Sequence, residues 1–230
     1  MSPRPAKVSR EQILAAALGI VDAQGLDALT MRSLGAALGV DPMVAYRLFP
    51  SKEAVADALV DQFWETFTPP DAEGVGAEGA DAEGAGAAWR AYALAVMRAL
   101  RQTLAAHPRL IPLIATRPLA SAGALRMADG VLGTLLRLGA PLTPTLGHLI
   151  NTLVMVTVAS ALGEYTPPVG GTAHAAHPAH SSVDAPADFP ADASALPHLS
   201  ALMQAGFSPS FDDQCEVALA AVLEGWPLPR

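Results

Sequence analysis

The chain has 230 residues, of which 51% are hydrophobic and 16% charged, a globular composition that excludes disordered and fibrous classes and suffices for a core without disulfide or metal staples. Its net charge of −8 is uneven: residues 1–52 carry six Lys/Arg against four Asp/Glu, the remainder eight against eighteen. A mildly basic head on an acidic body suits a chain of which only the head meets a polyanion.

The single cysteine, Cys215, has no intramolecular partner and reads as a small buried hydrophobe in a reducing compartment. The N-terminus lacks the apolar core and cleavage site of a signal peptide, so the expectation is a cytoplasmic protein. The longest apolar stretch, residues 146–162, is interrupted by His148, Asn151, Thr152, Thr157 and Ser160 and falls short of the roughly 20 residues of a membrane span. It reads as a core helix, with no membrane partner.

In chain order, Ser9 with Gln12 forms a capping box for a first helix, whose Ile13, Ala16, Ala17, Ile20 and Val21 recur at helical spacing up to Gly25. Thr30 caps a short second helix that stops at Gly39. Asp41-Pro42 is a cap followed by proline at the first helical position, and this third helix must end near Phe49 because Pro50 cannot continue it. Ser51 caps a fourth, with Val55, Leu59, Gln62, Phe63 and Thr66 on one side and Asp57, Asp61 and Glu65 mostly on the other.

Residues 68–86, with three Ala-Glu-Gly copies, read as a flexible acidic linker. Helical patterns follow at about 87–106, 110–115 and 120–138, and Thr143-Pro144 opens an apolar helix running to Tyr165. Residues 166–193 read as a mobile loop, and two helices, about 193–205 and 210–226, close the chain. The expected fold is all-α, with about ten helices and no sheet. The expected organisation is a three-helix head over 1–52, a connecting helix over 53–67, the linker, and an effector-binding and dimerisation domain over 87–230.

Residues 30–49 carry the most information. Two short helices around a turn at Gly39-Val40 form a helix-turn-helix if Leu34, Leu38, Val40 and Leu48 face inward. Pro42, Met43, Val44, Tyr46 and Arg47 then lie on the face that enters a major groove. Tyr46 is suited to bonding phosphate, Arg47 and Lys52 to neutralising it, Thr30 stands at an anion-attracting helix N-terminus, and Arg32 is suited to reading guanine.

This head resembles the DNA-binding domain of the tetracycline-repressor (TetR) family, on Ile13 to Ala17, Gly25 to Leu34, Leu38-Gly39-Val40, and Tyr46 through Phe49-Pro50-Ser51-Lys52-Glu53. The resemblance implies a homodimer that binds a palindromic double-stranded operator and is released by a small-molecule effector. The C-terminal half resembles the effector domain of the tetracycline repressors themselves, on Thr116-Arg117-Pro118 and helix order. One departure stands out: Leu113 occupies the place of that subfamily's magnesium-site histidine, and Leu162 or Glu164 that of its second position, so no magnesium is expected.

Candidate effector contacts are Val96, Leu100, Leu113, Thr116, Arg117, Arg126, His148, Ile150, Asn151 and Val154, and the expected effector is hydrophobic, acidic or polyketide-like, anchored by Arg117 or Arg126. The seam between copies is expected on the Thr143 helix and the last helix, through Cys215, Leu219, Val222 and Leu223. His174, His177 and His180 read as a solvated loop rather than a metal site, because Pro178 keeps a helix from presenting all three together. No nucleotide-binding glycine fingerprint or nucleophile elbow is present, so no catalytic residue and no cofactor is assigned. The rival reading is a helical-bundle ligand carrier or enzyme without specific DNA binding.

Overall fold

In the computed structural model, residues 8–73, 86–117, 119, 121–166, 196–207 and 210–227 are described. Among them run ten α-helices, two 3-10 turns and no strand. The helices are α1 (Arg10–Gln24), α2 (Met31–Leu38), α3 (Pro42–Tyr46), α4 (Lys52–Thr66), α5 (Ala87–Ala106), α6 (Ile111–Ala115), α7 (Ala122–Arg137), α8 (Pro144–Tyr165), α9 (Pro197–Gln204) and α10 (Phe211–Gly225), with 3-10 turns at Leu26–Ala28 and Pro108–Leu110. Most of the linker over 68–86, most of the loop over 166–193, and His174, His177 and His180 lie outside the described residues.

The caps set the starts. At α1 the Ser9 hydroxyl accepts the Gln12 N–H at 3.2 Å while the Gln12 side-chain oxygen accepts the Ser9 N–H at 2.9 Å. At α2 the Thr30 hydroxyl accepts the Ser33 N–H at 3.0 Å while the Ser33 hydroxyl accepts the Thr30 N–H at 2.9 Å. At α8 the Thr143 hydroxyl accepts the Leu146 N–H at 3.2 Å, with Pro144 in the first helical position.

Three boundaries differ from expectation, one of them the start of α9, which lies at Pro197 rather than about 193, with proline in the first helical position. α3 ends at Tyr46 rather than near Phe49, because the Leu48 and Phe49 N–H groups both turn back to the Ala45 carbonyl, at 3.0 and 2.9 Å. α7 begins at Ala122 rather than 120, where the Ser121 hydroxyl accepts the Ala124 N–H at 3.1 Å.

The head buries Ile13, Ala17, Val21, Leu29, Leu34, Ala45 and Phe49 against Val55 and Leu59 of α4. The body packs α8 between α5 and α10, and α4 runs from the head to lie against α7. α8 spans 22 residues and is long and apolar enough to cross a membrane by length and composition alone. Here it is a core helix, burying Leu146, Leu149, Leu153, Thr157, Val158 and Ala161 against its neighbours.

One end of the body is pinned by charge. The buried Arg101 guanidinium pairs with Glu164 of α8 and, at 3.1 Å, with Asp212 of α10, while lying 5.5 Å from the Tyr165 ring centroid. Glu164, one of the two residues at the second magnesium-site position of the resemblance, is engaged by Arg101. At the other end the Trp226 indole N–H donates to the Thr145 carbonyl at 3.1 Å.

The expected seam residues need correction. Cys215, Leu219 and Leu223 are buried against α8 within their own protomer, and Val222 is half-buried. Helical spacing puts the opposite side of α10 in solvent, with Val217 69% exposed and Ala221 beside it. On α8 the exposed stripe runs through His148, Asn151, Met155 and Ala159.

Candidate functional site

The head presents one short helix to solvent and holds it firmly. α2 ends on Gly39 at φ 65°, ψ 31°, a left-handed conformation that glycine adopts without strain, and the Val40 N–H returns to the Gly35 carbonyl at 2.9 Å. Gly35 is itself required: a Cβ there would lie 2.9 Å from the Val40 carbonyl oxygen and 3.0 Å from the Pro42 nitrogen. The Asp41 carboxylate then accepts the Met43 N–H at 2.8 Å, starting α3 beside α2.

Because α3 is little more than a turn, Ala45 and Phe49 take the inward positions four residues apart. Leu48, expected to face inward, is 41% exposed. Outward lie Met43, 62% exposed, Tyr46, 46% exposed, and Arg47, with Pro42 and Val44 half-buried. Arg32 and Thr30 are exposed at the start of α2, and Lys52 is half-buried at the start of α4. The expected DNA-facing residues are thus each exposed or half-buried, although the Thr30 hydroxyl is occupied by its own capping box. Arg10, absent from the expected contacts, lies 4.4 Å from the Phe49 ring centroid and ties α1 to the chain after α3.

Polar contacts join head and body. The Asp22 carboxylate meets His107 Nδ1 at 2.9 Å, and the Arg109 guanidinium donates to the Asp22 and Ala23 carbonyls at the end of α1. α1 has no basic residue in its own last turn, so the body supplies the cation that its C-terminal dipole favours. Arg117 pairs with Asp57 of α4 at 2.5 Å.

The body holds a half-open cavity of about 460 Å³ between α4, α5, α7 and α8. Of the expected effector contacts, Val96, Leu100, Ile150, Asn151 and Val154 line it. Leu113 is buried in the core, Thr116 turns its hydroxyl to the Pro112 carbonyl, Arg117 is held by Asp57, and Arg126 and His148 are exposed; none of these five lines the cavity. Sequence reasoning missed Trp64 and Phe67 of α4 and its flank, Met97 of α5 and Leu132 of α7. The available signal was the Trp64–Phe67 pair one turn apart, whose rings meet edge-on at 6.5 Å. Leu125 and Leu142 line the cavity and are strongly exposed, so they mark its mouth.

Comparison with known proteins agrees with this arrangement. Residues 13–59 match the family model described as bacterial regulatory proteins, tetR family, and residues 82–227 match the tetracyclin repressor-like C-terminal domain. The HTH-type transcriptional repressor DrrR1 of Streptomyces coeruleorubidus is 29% identical over 154 residues, covering 67% of this chain and 51% of that protein. The chain spans about half the length of the curated relatives it matches. A possible TetR family transcriptional regulator from Streptomyces coelicolor A3(2) superposes with a TM-score of 0.66 at 27% identity, over 94% of this chain and 98% of that one. ActR of Streptomyces coelicolor, solved in complex with actinorhodin, shares the fold at a TM-score of 0.68 and 20% identity, over 98% of this chain and 96% of that one. With a family model covering most of its length, the chain belongs to the tetR family of bacterial regulatory proteins.

Proposed function

We propose that this chain is a cytoplasmic, homodimeric transcriptional repressor that binds a palindromic operator and is released by a small molecule in the body cavity. The observation that carries the reading is the course of α4. Its first turn follows the exposed α3 face directly, and Trp64 and Phe67 at its far end wall the cavity. A 15-residue helix is a rod of about 22 Å, so a small tilt at the cavity displaces the head at the other end.

Two heads in a twofold dimer must stand roughly 34 to 36 Å apart to enter successive major grooves. A ligand that prefers the tilted form therefore weakens operator binding, and the operator weakens ligand binding by the same factor. The exposed apolar positions Met155 and Val217 supply the seam between copies.

The test is selection of DNA from a random pool, followed by anisotropy titrations over a range of salt. A palindromic consensus bound with steep salt dependence is expected. Tyr46→Phe and Lys52→Ala then weaken all sequences alike, whereas Arg32→Ala and Met43→Ala relax base preference. Failure to enrich any sequence overturns the proposal.

A further inference from the structure

Among the described residues of the head, Met43 is the most exposed large apolar side chain, 62% open to solvent at the second position of α3. Met43, Tyr46 and Arg47 follow one another at helical spacing of three and four, so they share a face. Pro42 and Val44 flank Met43, both half-buried.

The composition of this helix limits what it can read. The side chains that hydrogen-bond purines bidentately are Arg, Lys, Asn and Gln, and none occurs from Asp41 to Tyr46. Asp41 caps the helix by accepting the Met43 N–H at 2.8 Å, and its charge opposes a phosphate at that end. In helix-turn-helix docking the N-terminal residues of the second helix meet base edges. Here those residues are apolar, and the apolar feature that a base shows in the major groove is the C5-methyl group of thymine.

We infer that Met43, flanked by Pro42 and Val44, selects thymine through its C5-methyl group, so that each operator half-site carries an A·T pair beneath the start of α3. The inference rests on the reading of the head as a DNA-binding surface and names the base that this part of it selects. The unbranched thioether side chain can follow a methyl group on the groove floor, and burying the two together removes apolar area from water.

The test uses the full-length protein and the palindrome selected from the random pool, with binding followed by anisotropy. Each thymine of one half-site is replaced in turn by deoxyuridine, which removes the methyl group and keeps every hydrogen-bonding atom. At one thymine the change should weaken binding about two- to fivefold, the worth of one buried methyl group. That penalty should vanish in Met43→Ala and also in Met43→Gln, which keeps the length of the side chain and makes its end polar. When the same pair is changed to C·G, 5-methylcytosine should bind about two- to fivefold more tightly than cytosine, because it returns the methyl group to the same place.

A consensus in which no thymine is sensitive to deoxyuridine, a penalty that survives both Met43 variants, or 5-methylcytosine bound no better than cytosine overturns the inference and leaves the regulator reading standing. Failure to enrich any sequence removes both.

Discussion

Gly35→Ala and Gly19→Ala are the same chemical change in two helices, and the structure gives them opposite signs. Gly19 lies exposed in α1 with nothing within 4 Å of an added methyl, so alanine should bring its helix-propensity gain of about 0.8–1 kcal/mol. At Gly35 the methyl meets backbone: the Val40 oxygen at 2.9 Å and Pro42 Cα at 3.1 Å. Ordinary contact begins near 3.4 Å, so α3 must retreat by about half an ångström. Overpacking of this kind costs about 1–3 kcal/mol, which offsets the propensity gain and leaves Gly35→Ala about 0–2 kcal/mol less stable than the parent. Urea denaturation measures the difference between the two variants, and anisotropy with pool-selected DNA measures the displacement of α3. Gly19→Ala should bind DNA normally and Gly35→Ala weakly. Equal stabilisation of both variants with full DNA affinity would refute the packing argument.

Val217→Arg should yield a folded monomer by light scattering, while Leu219→Arg should instead unfold the body, since Leu219 is buried inside the protomer; a dimeric Val217→Arg variant would place the seam elsewhere. Arg109→Ala should cost about 0.3–1 kcal/mol and speed amide exchange at the end of α1 without changing α10. Glu216 is held below its ordinary value of 4.5, first by the Arg98 hydrogen bond, so its contribution is present above that value and lost as pH falls through the lowered one. The stability gap between the parent and Glu216→Gln, about 0.2–1 kcal/mol for this half-exposed pair at about pH 6, should therefore narrow as the pH is taken below 4.5 and vanish once Glu216 is protonated.

Much of this architecture is local and so was legible in the sequence. The Ser9 capping box, the Thr30 cap, Asp41-Pro42, Ser51 and Thr143-Pro144 each act within four residues, and they place helix starts by chemistry that any sequence carries on its face. The exposure of Arg32, Met43, Tyr46 and Arg47 was readable for the same reason. α2 and α3 are short and adjoin in sequence, so spacing nearly determines which residues point outward; Leu48 escaped because the chain turns back onto Ala45 just past the helix.

The cavity was not legible, because its wall is assembled from α4, α5, α7 and α8, and nothing in one amphipathic helix says which neighbour faces it. Trp64 sits beside the inward stripe of α4, and only the arrival of α7 turns that flank into a wall. Arg117 illustrates the converse: its charge pointed to an anchor, but Asp57, sixty residues away, claims it. The last helix shows the same limit, since its periodicity identifies an apolar face through Cys215, Leu219 and Leu223 but cannot tell a face that packs on its own α8 from one that packs on a second copy. Burial of either face removes the same apolar area from water, and tertiary structure alone decides which partner does so.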